Sequence, residues 1–194
     1  GIYVFEPEVL KYFPEKTPSK LSKDVIPKLV NEGIIYGYIY EGIWSDIGVP
    51  SDYKRANFEA LLHFYPNGYI SNEAEISTDV ELEQPVYIGD SVTIDKGSKV
   101  GPLAVIGRKS RIGPQTRIYK SILLDGVVIE GSSLIEGSIV GRATYVGKWV
   151  RVCDGSVLGD EVTINDEVLI ARNVIILPYK EISDNILREG SVIL

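Results

Sequence analysis

The sequence predicts a mainly β chain, a solenoid of short parallel strands preceded by an α/β segment, and three observations carry that prediction. A branched aliphatic residue recurs at six-residue steps, twice shortened to five, from Ile70 to Ile182. The position four after each of these is small or branched, and residues before about 66 show no such period. A repeat of six fits neither a helix of about 3.6 residues per turn nor the two-residue alternation of a long amphipathic strand.

The heads of the repeat run Ile70, Ile76, Leu82, Ile88, Ile94, Val100, Ile106, Ile112, Ile118 and Leu124. A five-residue step leads to Ile129, six more residues to Ile135 and another five to Val140. The series then resumes at Val146 and continues through Val152, Leu158, Ile164, Ile170 and Ile176 to Ile182. Four places after the heads stand Ala74, Val80, Val86, Val92, Ser98, Ala104, Ser110, Thr116, Ile122 and Val128, and later Thr144, Val150 and Ser156. Head and head-plus-four are an even distance apart, so both can face one side of an extended chain, with a turn between successive short strands. Glycine directly after the head, as at Gly89, Gly101, Gly107, Gly113, Gly141, Gly147 and Gly159, fits a corner that tolerates unusual dihedrals. Each hexad therefore supplies one strand and one corner. The heads stack into a continuous core and the corners face water. An antiparallel sandwich would not hold this register for so long.

The aperiodic first part divides by local signals. Ile2-Tyr3-Val4-Phe5 reads as a strand, and Pro7 to Phe13 as a short helix with proline in its first turn. Ser22 to Val30 reads as a second helix, compatible with Pro27 only near its start or at a kink. Ile34 to Tyr40 is rich in β-branched and aromatic residues and reads as a strand, with Ile43-Trp44 a further extended piece. Ser51 to Phe64 is a helix whose apolar positions are Tyr53, Ala56, Phe58, Ala60, Leu61 and Leu62. Tyr65-Pro66-Asn67-Gly68 is a turn, which sets the expected domains at 1–66 and 67–194.

Composition excludes several classes of partner. With 20 basic against 27 acidic residues and a net charge of −7, no basic stripe is available for nucleic acid or an anionic membrane. No run of about 18 apolar residues exists to span a bilayer, and the single cysteine, Cys153, cannot form an internal disulfide. A soluble, cytoplasmic protein is expected. The chain begins at Gly1 and contains no methionine, so a processed or truncated piece of a longer protein is expected as well.

The most specific local string is Trp44-Ser45-Asp46-Ile47-Gly48-Val49-Pro50, followed by Tyr53 and Asn57. A carboxylate held between a glycine and proline turn and a following helix is a rigid place to offer oxygens to Mg²⁺. The competing reading is that Asp46 bonds backbone amides within its own turn. His63, the one histidine, lies before the first hexad, which disfavours the general-base and zinc roles histidines play on other repeats of this period. Cys153 beside the head Val152 reads as a packed or corner residue, and Asp160, Glu161, Asp166 and Glu167 read as a solvated rim.

The repeat resembles the hexapeptide repeat of left-handed parallel β-helices, in which three hexads make one triangular coil. That resemblance implies the left hand and about six coils for nineteen steps. Gly1-Ile2-Tyr3-Val4-Phe5, Ser22-Lys23-Asp24-Val25-Ile26-Pro27 and the Trp44 string occur in the order found in sugar-phosphate nucleotidylyltransferases. Ser138-Ile139-Val140-Gly141, Gly147-Lys148-Trp149-Val150-Arg151-Val152 and Leu177-Pro178-Tyr179-Lys180-Glu181-Ile182 resemble the C-terminal domain of the GDP-mannose pyrophosphorylase family. The resemblance implies an enzyme that joins a nucleoside triphosphate to a sugar 1-phosphate and releases pyrophosphate. GTP with mannose 1-phosphate is the expected pair, ahead of glucose 1-phosphate with UTP or dTTP. It also implies that Asp46 is catalytic and binds Mg²⁺, and that Trp44 and Lys23 contact substrate. The family's G-G-x-G-T-R-L nucleotide loop and its P-K-P do not occur here, so these residues alone are expected to be inactive. A non-catalytic assembly or regulatory module is the competing class. Flat solenoid faces and open ends lead to an expectation of homo-oligomers, with Trp149 a candidate anchor or, alternatively, packed under Ile193-Leu194.

Overall fold

The computed structural model describes residues 2–15 and 17–194. The chain divides into two compact units, Gly1–Gly42 and Ile43–Leu194.

In the first unit a 3₁₀ turn spans Pro7–Tyr12, and a π turn at Leu21–Val25 runs into helix α1, Ile26–Asn31. Pro27 stands in the first turn of α1. The helix expected over 22–30 is thus split, and the ring, which has no N–H to donate, occupies a position that needs none. Val25 and Leu29 are buried, while the Tyr12 hydroxyl donates to the Glu32 carboxylate and Lys28 Nζ donates to the Tyr12 carbonyl at 3.2 Å. The strands expected at Ile2–Phe5 and Ile34–Tyr40 do not form: neither segment has a ladder partner among the described residues, and Tyr36, Tyr38 and Ile39 are exposed. Strand-forming composition is a local property, whereas a strand needs a second segment alongside it.

The second unit is helix α2, Pro50–Phe64, and a parallel β-solenoid with three flat faces. Among the described residues, face A has eight strands from Tyr69–Ile70 to Val192–Ile193, face B seven from Glu75–Ile76 to Glu181–Ile182, and face C six from Glu81–Leu82 to Leu169–Ile170. Every ladder is parallel and in register, as in Ile88↔Ile106, Ile94↔Ile112 and Val100↔Ile118. The heads form the core, and burying each contributes roughly 1.5–3 kcal/mol.

Two details differ from expectation. Leu123, not Leu124, is the interior head; it pairs with Ile106 and Val140, so the first five-residue step lies between Ile118 and Leu123. Both short steps, 118 to 123 and 135 to 140, therefore fall on the same corner, from face C to face A, and their shortened turns stack. The solenoid also has about seven turns rather than six, because Ile186 bridges Ile170 and Val192–Ile193 extends face A beyond Ile182.

The corners also assign glycine a different task. Positive φ falls mainly three residues after the head, on Ser91, Lys109, Gln115, Trp149 and Tyr179, and among the glycines that follow a head only Gly101, at φ +105°, has it. Glycine is required there by proximity: a Cβ on Gly141 would strike the Gly159–Asp160 peptide. Inward hydroxyls tie neighbouring coils together. Ser133 Oγ donates to the Gly147 carbonyl and accepts from the Val150 amide, both at 2.9 Å, and Ser98 bonds in the same way to Gly113 and Thr116. Most buried hydroxyls of this core are paired in this way, while Thr93 and Thr116 Oγ1 have no partner among the described residues.

Outside, the row just before each face-A head is apolar throughout: Tyr69, Tyr87, Val105, Ile122, Ile139, Val157, Ile175 and Val192. Helix α2 lies over it: Tyr65, just past its end, meets Tyr87 with ring centroids 5.7 Å apart, and Lys54 reaches the Gly137 carbonyl beside Ile139. Leu61 is 3% exposed and Ile122 is buried to the same degree as the core. The turn from face A to face B carries charges of alternating sign, Asp90, Arg108, Asp125, Arg142 and Asp160. Arg108 donates to both Asp125 oxygens at 2.9 Å, and the Arg142 amide donates to Asp160 at 2.7 Å. The Arg108 guanidinium holds the Asp125 carboxyl below the usual carboxylate range.

Replacing Ile129 by alanine leaves a core void and is expected to lower stability by about 2–5 kcal/mol, read from the denaturant midpoint. Because the folded state depresses the Asp125 pKa, its contribution is present above the ordinary carboxylate pKa and lost as pH falls through the depressed folded value. The pair is surface-exposed, so the effect is small. Melting temperatures of Asp125→Asn followed through acid pH are expected to fall less steeply than those of the wild type.

Candidate functional site

Asp46 and Trp44 lie on the irregular stretch that enters α2, and both are exposed, Trp44 at 62%. The stretch ends at Val49, whose carbonyl accepts from the Asp52 and Tyr53 amides and so begins the helix, with Pro50 in its first turn. The reading of Asp46 as a turn acceptor finds no donor: among the described residues no hydrogen bond reaches its carboxylate. Lys23 is placed elsewhere, on the exposed π turn of the first unit, where its amide donates to the Lys20 carbonyl. The structure thus keeps Trp44 and Asp46 together, two residues apart, and places Lys23 in the other unit.

An exposed carboxylate without a competing donor is the ligand type a hard divalent cation takes. It is also alone: among the described residues no three His, Cys, Asp or Glu side chains come together as a metal site. A cation held by Asp46 would draw its other oxygens from substrate, from water or from residues outside this chain. Asp160 and Asp166 instead accept the Arg142 and Lys148 amides at 2.7 Å, which makes them corner acceptors.

His63 lies near the end of α2, edge-on to Phe64 with ring centroids 4.8 Å apart. Cys153 is half-buried on the corner after face C, in the same row as Tyr119 and Glu136; burial, with Glu136 adding to it, raises the Tyr119 pKa. One residue the sequence reading passed over is Lys54. Its Nζ lies 2.5 Å from the Gly137 carbonyl and 3.1 Å from Asp154 Oδ1. Nothing within the helix marks it, because its partners are 83 and 100 residues further along the chain.

Comparison with known proteins adds identity to this geometry. Residues 82–193 match the family model described as the GMPPB C-terminal domain, and residues 1–61 match that described as nucleotidyl transferase. A "Putative mannose-1-phosphate guanyltransferase" of Sulfolobus acidocaldarius is 46% identical over 99 residues, covering 50% of this chain and 27% of that protein. A UTP–glucose-1-phosphate uridylyltransferase of Synechocystis is 36% identical over 112 residues, covering 51% of this chain and 29% of that protein. The chain therefore spans less than a third of the length of these relatives. Among solved structures, a "putative acetyltransferase" of Bacillus cereus shares the fold, with a TM-score of 0.50 at 19% identity over 61% of this chain and 73% of that one. With the solenoid matched almost from end to end and the segment before it matched separately, the chain belongs to the GMPPB C-terminal domain family, here preceded by a nucleotidyl transferase segment.

Proposed function

We propose that this chain is part of a sugar-1-phosphate nucleotidylyltransferase acting on mannose 1-phosphate and GTP. The observation that carries the reading is the exposed Asp46 carboxylate, free of hydrogen bonds among the described residues, within a nucleotidyl transferase segment that precedes a GMPPB-type solenoid. The likeness to the Sulfolobus protein supports the mannose and guanine pair, and that to the Synechocystis protein supports glucose 1-phosphate and UTP as the second reading.

In the reaction a sugar phosphate oxygen attacks the α-phosphorus of the triphosphate as the bond to pyrophosphate breaks. A bound Mg²⁺ would neutralise charge on the phosphates as that exchange proceeds. Asp46 supplies a negative oxygen toward that cation, from a turn backed by the first turn of a helix. Trp44, two residues before Asp46, offers an exposed ring surface to the sugar or base.

Asp46→Asn keeps the shape of the turn and removes the charge. Turnover of the full-length enzyme is expected to fall by roughly two orders of magnitude or more with the melting temperature nearly unchanged, measured as pyrophosphate release across a Mg²⁺ titration. Near wild-type turnover in that variant would sink the assignment. The 194 residues alone, which carry no G-G-x-G-T-R-L loop, are expected to release no pyrophosphate in the same assay.

The solenoid also supports self-association. Trp149 stands in the left-handed corner conformation and is 64% exposed, so its indole is not covered by the Ile193-Leu194 tail. A bulky side chain in that conformation is strained, and a second copy of the chain would give its ring a place to bury. Sedimentation at micromolar concentration is expected to show a dimer or larger assembly that Trp149→Ala weakens. A monomeric wild type rejects association, and an unaffected variant rejects the anchor.

A further inference from the structure

We propose that Lys54 is a positioning residue: its ammonium, held by two corners of the solenoid, seats the first turn of α2 and so fixes the Asp46 turn that leads into it. The proposal rests on the reading of Asp46 as a metal ligand. The two acceptors come from successive coils. Gly137, at φ +56°, turns its carbonyl to both Lys54 Nζ and the Gly155 amide, and Asp154, one coil later, presents its carboxylate beside it. A Cβ on Gly137 would collide with that carboxylate, so the bare corner is what lets the two acceptors stand side by side.

The helix needs this hold at one end only. Its C-terminal half is anchored by buried Leu61 and by the Tyr65, Tyr69 and Tyr87 cluster, with ring centroids 5.0–5.7 Å apart. Its N-terminal turn has no side-chain cap at Val49. Pro50, one turn before Lys54 on the same face, is exposed and borders a small cleft that Gly137, Ile139 and Gly155 also line. Asp46 is four residues upstream of Pro50, joined to it through Gly48. The Lys54 side chain is 21% exposed and that of Asp154 58%, and partly solvated pairs of this kind add little to global stability. What the pair does supply is direction, because both its acceptors are built into a rigid stack.

The test uses the full-length enzyme with Lys54→Met, Asp154→Asn and Lys54→Arg. Hydrogen exchange at the Asp52 and Tyr53 amides, which donate to the Val49 carbonyl, is expected to quicken by roughly tenfold in the first two, with exchange over 58–64 unchanged. The Mg²⁺ concentration for half-maximal pyrophosphate release is expected to rise by roughly tenfold alongside, since small misplacements of a ligand are costly. Lys54→Arg keeps a donor for both acceptors and is expected to behave as wild type. Unchanged exchange at the Asp52 and Tyr53 amides in both Lys54→Met and Asp154→Asn overturns the proposal. So does faster exchange with an unchanged Mg²⁺ requirement in an enzyme that Asp46→Asn inactivates. Near wild-type activity of Asp46→Asn overturns instead the reading from which the proposal starts. If Lys54→Met does not fold, Asp154→Asn, which leaves the lysine stem in place, carries the test alone.

Discussion

Everything in the second unit depends on one constraint: each coil must lay its corners directly over those of the coil before. Parallel ladders extend only if Ile88 meets Ile106 and Ile106 meets Leu123, and the inward hydroxyls reach their carbonyls only in that same alignment. The constraint explains why glycine follows so many heads, since the next coil's backbone passes too close for a side chain. It explains as well why the two shortened hexads share a corner. A missing residue is tolerated when the turn above it is short in the same place. Alternating charge along the turn from face A to face B adds a second check on alignment, because a slipped coil would carry Arg108 away from Asp125.

The same constraint turns the solenoid into a rigid surface on which less regular chain can be placed. Face A is apolar at every outward position, and α2 covers it with a face of its own. Trp44 and Asp46, the residues proposed for chemistry, are therefore not on the solenoid but on the stretch that leads into the helix lying on it. In the first unit no comparable scaffold exists: Ile34–Tyr40 has the side chains of a strand and no partner among the described residues.

How much of this the amino-acid sequence discloses depends on whether a feature repeats. The heads, the inward small residues and the extent of the solenoid repeat many times, and periodicity reveals them. The outward apolar row of face A is also legible once hexads are grouped by three, with Tyr87, Val105, Ile122, Ile139 and Val157 in one column. The position of the first short step is not legible, because Leu123 and Leu124 are the same residue and only ladder pairing separates them. Lys54 is hidden for the opposite reason: it is a single event, and its two acceptors owe their closeness to coil geometry that local pattern does not encode. Asp46 could be singled out from its turn and its family resemblance, while the absence of a competing donor could be read only from the folded chain.

A fifteen-residue helix is about 22 Å long. The strands from Tyr87 to Val157 are separated by four inter-strand spacings, together about 19 Å. The helix is thus a ruler laid against the stack, and beyond its reach the apolar row continues to Val192, which is 52% exposed. A lineage that duplicated one coil would gain core at no cost in alignment, yet would uncover another stretch of greasy surface. Each added coil would thus lengthen the bare part of face A unless the helix lengthened with it.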